Sequence, residues 1–204
     1  MKKILLIRFS SIGDIVLTTP VVRAIKQQTE YELHIVTKKQ YEGLYSSNPN
    51  VDQVHSFNKH INECLTDLKN EKFDVIVDLQ NNLRSYKLKR ELKVKNYSFL
   101  KLNIEKWLLV NFKINKLPNV HIVDRYFKAV KSLGVVNDKK GLEYYIPQHD
   151  EVAPENIDSK LKDGYCAFVI GGQHYTKILP PEKAALIISK IDMPIVLLGG
   201  PDDR

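Results

Sequence analysis

The sequence predicts an α/β protein in which helices cover both faces of a parallel sheet. Three observations carry that expectation. Short runs of branched apolar residues recur along the chain, at 3–9 (KILLIRF), 32–37 (ELHIVT), 51–57 (VDQVHSF) and 73–79 (FDVIVDL). Stretches with helical spacing lie between them, the alternation that parallel β-α-β units require. Of the 204 residues, 43% are hydrophobic and 27% charged, a balance that supplies a core and argues against wholesale disorder.

Each element has its own reason. Residues 3–9 form a short run that is apolar at successive positions, as a strand covered on both faces requires. Residues 12–27 read as a helix kinked at Pro20, where the ring removes a backbone donor. A second strand follows at 32–37, and a third at 51–57 after the turn Ser47-Asn48-Pro49-Asn50. The fourth, 73–79, is β-branched and leads into the polar turn Gln80-Asn81-Asn82. A fifth is expected at 97–100. Farther on, Ile122, Val123, Tyr126, Phe127, Val130 and Leu133 share one helix face, closed by Gly134 as its C-cap. Residues 141–163 are polar and contain Pro147 and Pro154, as a linker with one short helix would. Residues 165–170 (YCAFVI), a glycine turn, a helix near 181–190 and residues 194–198 (PIVLL) then open a second β-α-β unit. The expected division is a first domain at 1–150, then a linker and the start of a second at 151–204. That final unit of about 40 residues is too small to close a core alone, so it either packs on the first domain or is an incomplete second domain, and the second is expected.

Several classes are excluded. Cys64 and Cys166 make no disulfide framework and no CxxC zinc spacing. No apolar stretch approaches the roughly 20 residues of a membrane helix. The opening MKKILLI imitates a secretory leader, but Arg8 cuts the apolar run and no small-residue cleavage site follows. A soluble protein of a reducing compartment is expected. Along the sequence no cluster of His, Cys and carboxylates points to a metal, and no Ser-His-Asp set is visible.

The net charge is +7 with a pI near 9.2, and one segment supplies it. Residues 81–116 hold ten basic side chains, among them Arg84, Lys87, Arg90, Lys101 and Lys106, against only Glu91 and Glu105. A local patch of this kind suits a polyanion: nucleic acid, an anionic membrane face or a phosphorylated glycolipid. Leu102, Trp107, Leu108, Leu109, Val110 and Phe112 form an apolar cluster within it, either core or a lipid contact. Taken alone, the patch reads first as a solvated helix face with a buried opposite side. Nucleic acid ranks last, because no RNP-type, zinc-finger or heptad motif accompanies the charge.

Ligands of open parallel sheets bind where strands deliver their carboxyl ends into loops, and three loops stand out. Ser10-Ser11-Ile12-Gly13-Asp14 joins the first strand to the first helix. It lacks the G-x-G-x-x-G dinucleotide spacing, and Ser and Asp there also serve as ordinary N-caps. The loop after the fourth strand offers Asp78, Gln80 and Asn81 for hydroxyl-rich ligands and Arg84 for an anion. The third, Gly171-Gly172-Gln173-His174-Tyr175-Thr176-Lys177, combines backbone amides, a hydroxyl and an ammonium, as a diphosphate cradle would.

At these loops a family resemblance emerges. ILLIRFSSIGDIVLTTPVVRAIK (4–26) closely resembles the opening of glycosyltransferase family 9, the bacterial ADP-heptose:lipopolysaccharide heptosyltransferases. FDVIVDLQNNLRS (73–85) is similar to its D-L-Q-G-x-x-R-S segment, and HIVDRYFKAVKSLGV (121–135) to its H-x-x-[DE]-R-Y helix. TKILPPEKAALI (176–187) and PIVLLGGPDDR (194–204) resemble the start of its donor-binding domain. The four segments keep family order and span the chain.

The resemblance implies a GT-B fold, with a Rossmann-like acceptor domain and a second Rossmann-like domain for the nucleotide sugar. The implied reaction is inverting transfer of heptose from ADP-heptose, or a related nucleotide sugar, to the lipopolysaccharide inner core. No cofactor and no metal are implied. Asp14 matches the family's general base and Lys177 the lysine that offsets charge on the leaving diphosphate. Ser10, Ser11, Gly13, Asp78, Gln80, Asn81 and Arg84 fall on the acceptor side. Gly172, Gln173, Thr176 and Lys177 fall on the donor side. The acidic glycolipid acceptor implies a cytoplasmic protein, peripheral at the anionic inner-membrane face. Asn81 stands where the family usually has glycine, and Leu179 where an aromatic follows the lysine. The family's chains are longer, and most donor contacts lie in the part beyond, so these 204 residues alone are expected to have little or no activity. The competing expectation is a non-catalytic protein, derived from the acceptor domain, that binds anionic glycolipid or a membrane surface.

Overall fold

The computed structural model describes residues 2–172 and 175–200. The chain divides into two compact units, Met1–Ile146 and Pro147–Arg204.

In the first unit the elements run β1 (Lys3–Ile7), α1 (Ile12–Val16), α2 (Thr19–Gln28), β2 (Glu32–Lys38), α3 (Gly43–Ser46) and β3 (Gln53–Phe57). They continue as α4 (Leu65–Asn70), β4 (Val75–Asp78), α5 (Leu83–Leu92), β5 (Lys95–Ser98), α6 (Asn103–Phe112) and α7 (Ile122–Val130). The five strands form one parallel sheet in the order β3-β2-β1-β4-β5. The chain therefore builds outward from β1 to β3, then returns to lay β4 on the other side of β1. The crevice between the carboxyl ends of β1 and β4 is the topological switch point, where open α/β sheets bind ligands.

Two-sided burial explains the apolar runs. Ile4 and Leu6 join Leu33, Ile35, Val75 and Val77 against Val22 and Ile25 of α2 and Tyr126 and Val130 of α7. Leu5 and Ile7 join Val36 and Ile76 on the opposite face, against Leu68 of α4 and Leu88 of α5. Period-2 alternation thus sends successive residues into two different cores.

Three expectations need adjustment. The helix expected at 12–27 is two helices, α1 and α2. Thr18 interrupts them, its hydroxyl donating to the Ile15 carbonyl at 2.7 Å and lying 2.9 Å from the Tyr45 hydroxyl. Pro20 sits in the first turn of α2, where a missing N–H costs nothing. The fifth strand runs from Lys95 to Ser98 rather than over 97–100; it is an edge strand, and its exposed Lys95 and Asn96 carry no apolar signal. Finally, α6 buries none of its residues. Ile104, Trp107, Val110 and Phe112 are exposed, with the Trp107 and Phe112 rings edge to face at 5.2 Å. The apolar cluster of the basic segment is therefore surface, not core.

The segment after α7 turns back over α2. Gly134 closes the turn with φ +79°, in the left-handed region glycine favours. Arg23, buried on α2, then clamps the returning chain. Its guanidinium donates to both Asp138 carboxylate oxygens at 2.7 and 2.9 Å, to Glu143 at 2.6 Å and to the Gly141 carbonyl at 2.9 Å.

In the second unit β6 (Cys166–Val169) and β7 (Ile195–Leu198) pair in parallel, joined through α8 (Pro181–Ile188). The polar linker holds three separate 3₁₀ turns, at Gln148–Asp150, Pro154–Asn156 and Ser159–Leu161, rather than one helix. Among the described residues, Leu161 and Ala184 are the buried apolar side chains of this unit. No helix among the described residues is long and apolar enough to cross a membrane.

Candidate functional site

The site begins with a charge in an apolar strand run. Arg8 follows β1 and is only 5% exposed. An isolated buried guanidinium would be costly, so its partners matter. Nη1 donates to the Leu79 carbonyl at 2.5 Å and to the Tyr126 hydroxyl at 3.2 Å, and the group lies 5.9 Å from the centre of the Tyr126 ring. Nη2 lies 2.5 Å from Oδ2 of Asp14. Nε is buried without a hydrogen-bond partner among the described residues. Three segments of the unit (the end of β1, the end of β4 and α7) therefore meet at one side chain.

Asp14 sits in α1, where Ser11 holds the helix start. The Ser11 backbone N–H and hydroxyl both point to Oδ2, at 3.4 and 3.2 Å. Among the described residues all contacts to the carboxylate fall on Oδ2, which leaves Oδ1 without a partner.

In front of this pair lies a cavity of about 360 Å³. Its walls include Arg8, Ser10, Ser11, Asp14 and Gln80 from the loops after β1 and β4, Lys101 and Lys106 from the β5–α6 region, and Arg125 and Tyr126 from α7. Burial, with the nearby Arg8 charge, pushes the Lys101 ammonium below the ordinary lysine value. Burial pushes the Tyr126 phenol up. Arg125 is held by the Leu100 carbonyl and stacks over Phe99, 5.8 Å from the ring centre. Four cationic side chains around one carboxylate make a pocket that attracts an anion and can accept a proton from a hydroxyl on it.

The other sequence-derived residues divide. Gln80 lines the cavity and also fixes its floor, its Oε1 accepting from Phe9 N at 2.9 Å and Ser10 N at 3.4 Å. Asp78 does not reach the cavity. It is fully buried, and its Oδ1 accepts from Gln80 N at 3.0 Å and Asn81 N at 2.7 Å. The Lys89 ammonium lies 2.8 Å from its Oδ2, an ion contact without hydrogen-bond alignment. Asp78 shapes the turn instead of presenting itself to a ligand.

Asn81 is likewise engaged, its Nδ2 donating to the Phe99 carbonyl at 2.9 Å. Its φ of +44° explains why it can stand where glycine is usual, since asparagine tolerates the left-handed region. Gly13 has no such constraint, and a Cβ there would meet open space. Arg84 is exposed in the first turn of α5 and is not a wall of the cavity.

In the second unit, Lys177 ends a 3₁₀ turn with Thr176, and both are exposed. The loop folds back on itself, so that a Cβ at Gly172 would lie 3.4 Å from Ile178 Cγ1 and Lys177 Cβ. Gln173 and His174 lie outside the described residues.

Sequence reasoning missed Arg8, Lys101, Lys106, Arg125 and Tyr126 as cavity residues. Two signals were present: an arginine at the end of an apolar strand run, and Arg125 next to Tyr126, which is on the buried face of a helix. Nothing distinguished Lys101 and Lys106 from their basic neighbours.

The comparisons with known proteins bear on this arrangement. The model of glycosyltransferase family 9 (heptosyltransferase) matches residues 62–204, well over half of the chain. The chain belongs to that family. It is 26% identical over 211 aligned residues to lipopolysaccharide heptosyltransferase 1 of Campylobacter coli, covering 93% of this chain and 60% of that protein. It is also 26% identical over 171 residues to the lipopolysaccharide core heptosyltransferase OpsX of Haemophilus influenzae, covering 79% of this chain and 49% of that one. The chain thus spans about half to three fifths of the length of these curated relatives.

Among solved structures, a family 9 glycosyltransferase of Veillonella parvula superposes with a TM-score of 0.76 at 20% identity, covering 99% of this chain and 63% of that one. The Escherichia coli heptosyltransferase WaaC, solved with ADP, gives 0.70 at 21% identity, covering 98% of this chain and 68% of that one. The fold of this chain is therefore GT-B-like, a Rossmann-type parallel-sheet unit followed by a smaller second sheet.

Proposed function

We propose that this family 9 chain carries the acceptor side of an inverting glycosyltransferase, which moves heptose from ADP-heptose or a related nucleotide sugar to the lipopolysaccharide inner core. The observation that carries the reading is Asp14, with Oδ1 unpartnered among the described residues, on the wall of a cavity shared with Arg8, Lys101, Lys106 and Arg125. The cations draw in an acidic sugar acceptor. Asp14 takes the proton from its attacking hydroxyl as that oxygen bonds to the anomeric carbon. The bond from that carbon to the diphosphate oxygen breaks, and the electron pair leaves with the diphosphate. Lys177 offsets the charge developing there. Both relatives named above are lipopolysaccharide heptosyltransferases, which supports the donor and acceptor classes.

The test uses the full-length gene product and measures sugar transfer to an inner-core acceptor. Asp14→Asn is expected to lower kcat by about 10²–10⁴-fold, the usual range for losing a general base, with the circular dichroism spectrum unchanged. Lys177→Ala is expected to lower kcat as well. Transfer at the parental rate by both variants would overturn the assignment. Absence of transfer by the parent, with acceptor binding retained, would favour the non-catalytic glycolipid-binding alternative.

We also propose a location, on the strength of the basic segment. The exposed Ile104, Trp107, Val110 and Phe112 lie on a helix flanked by Lys101, Lys113 and Lys116. Such a surface suits an anionic bilayer face, which supports the reading of a cytoplasmic protein peripheral at the inner membrane. Cosedimentation with phosphatidylglycerol vesicles should weaken as salt rises and on reversing Arg84, Lys87 and Arg90 to Glu. Equal binding to neutral vesicles would reject this location.

A further inference from the structure

The first sheet carries a second cluster that sugar transfer does not use. His34 on β2 and His55 on β3 are 0% and 5% exposed. They lie on the face covered by α4, His34 near the start of β2 and His55 at the middle of β3, and neither lines the Asp14 cavity. Their rings stack at 5.2 Å, and Phe73 meets both edge-on. The His34 Nδ1 and His55 Nε2 atoms face each other at 3.0 Å. On its other side, His34 Nε2 lies 2.9 Å from the Glu32 carboxylate. Glu71, just ahead of β4, brings a third donor, so that the ligand atoms of His34, His55 and Glu71 lie within 4.8 Å of one another. His55 and Glu71 also border an open polar cavity of about 490 Å³, together with Cys64, Asp67 and Asn70.

The tautomer logic is specific. A carboxylate beside Nε2 makes that nitrogen the N–H donor, so the Nδ1 of His34 must present a lone pair. The proton between the two rings then sits on His55 Nε2. A carboxylate that fixes one imidazole nitrogen and leaves the other as a lone pair is the usual support of a metal-bound histidine. Two imidazoles on a tetrahedral zinc at about 2.0–2.1 Å hold their nitrogens roughly 3.3 Å apart, so small side-chain motions suffice here.

We propose that His34 Nδ1, His55 Nε2 and a Glu71 oxygen form a binding site for a first-row divalent cation, with zinc the best match. Two nitrogens and one carboxylate suit zinc better than magnesium or calcium, which prefer oxygen donors. The cation replaces the proton shared between the rings, and that proton moves to Nδ1 of His55, so none is released to solvent from the pair. Lys3, now ion-paired with Glu71, retains Glu32 as its partner. The fourth position opens to the cavity and takes water. Because none of these three ligands lines the Asp14 cavity, the cation braces β2, β3 and the entry to β4 rather than joining the chemistry. Along the sequence these residues are far apart, and only the pairing of β2 with β3 brings the histidines together.

The experiment strips the 204-residue chain with chelator and titrates it with Co(II), then with Zn(II) against a chromophoric competitor. One equivalent of Co(II) is expected to give the intense visible bands of low coordination number, which Zn(II) should abolish. Glu71→Gln and His55→Gln should each weaken binding by at least about 100-fold, and Glu32→Gln by about 10–100-fold. His149→Ala, an exposed histidine in the second unit, should bind as the parent does. His55 is buried and its variant can fail to fold, so Glu71→Gln, at the partly exposed rim, decides the matter. Absence of cobalt bands, or binding unchanged by Glu71→Gln, overturns the site; the buried pair is then a metal-free hydrogen-bonded core with Lys3 as its permanent counter-ion.

Discussion

The two units use the same β-α-β grammar with opposite results. In the first, β1 is flanked by β2 and β4 and covered on both faces, and Ile4, Leu5, Leu6 and Ile7 are all fully buried. In the second, β6 and β7 have only each other among the described residues, and Val169, Leu197 and Leu198 are exposed. The sequences YCAFVI and PIVLL are no less apolar than KILLIRF. Apolar content declares that a strand wants cover; the neighbours decide whether it has it. A two-stranded sheet alone is marginal in water, whereas a covered five-stranded sheet stands by itself.

The largest expected effect is therefore in hydrogen exchange. Amides of β1 and β4 should open only with global unfolding, while those of β6 and β7 in the 204-residue chain should exchange at least about 100-fold faster. Equal protection in both sheets would break the comparison. The next effect is at one side chain. Leu6→Ala removes a fully buried leucine between two sheet neighbours and α2, and should cost about 2–5 kcal/mol in urea unfolding of the first unit.

A smaller effect comes from the clamp on α2. The Arg23 guanidinium, hydrogen-bonded to Asp138, holds that carboxyl down to about 2. The unfolded value is near 3.9, so the folded state binds the proton less readily. The pair thus contributes fully above about pH 4, and its contribution drains as pH falls toward 2. Asp138→Asn should flatten that part of the stability profile while leaving its neutral-to-alkaline shape intact. An unchanged acid limb would mean that residues 138–143 are not held by this pair.

How much of this was legible in the sequence depends on where each signal lives. The central strands were legible because two-faced burial writes itself as an unbroken apolar run. The edge strand β5 was misplaced because only one of its sides is covered, so Lys95 and Asn96 look like loop. The break at Thr18 was invisible, since a hydroxyl bonding its own helix backbone leaves no periodic mark. Asp14, Ser10, Ser11 and Gln80 were legible as loop residues at strand ends. Asp78 and Asn81 looked equally available, yet their polar atoms are consumed by the turn they build. Arg8, Lys101 and Arg125 reach the same cavity from three distant segments, and His34 meets His55 only through strand pairing. Long-range convergence of this kind has no local signature.

The smallest effect sharpens the comparison most, because it substitutes the same residue type. Leu197 lies in β7, paired with Phe168 of β6, and is 55% exposed. Leu197→Ala in the 204-residue chain should change stability by less than about 0.5 kcal/mol, the usual range for surface positions. The chemistry removed is the same as in Leu6→Ala, so the difference between the two variants isolates burial from side-chain identity. Strand propensity does not account for such a gap, because both leucines occupy strands and lose the same three carbons. If Leu197→Ala instead destabilises as strongly as Leu6→Ala, the second sheet has cover in solution, from another segment or another copy. Repeating the measurement across a hundredfold range of protein concentration separates those two sources, since only cover by a second copy varies with concentration.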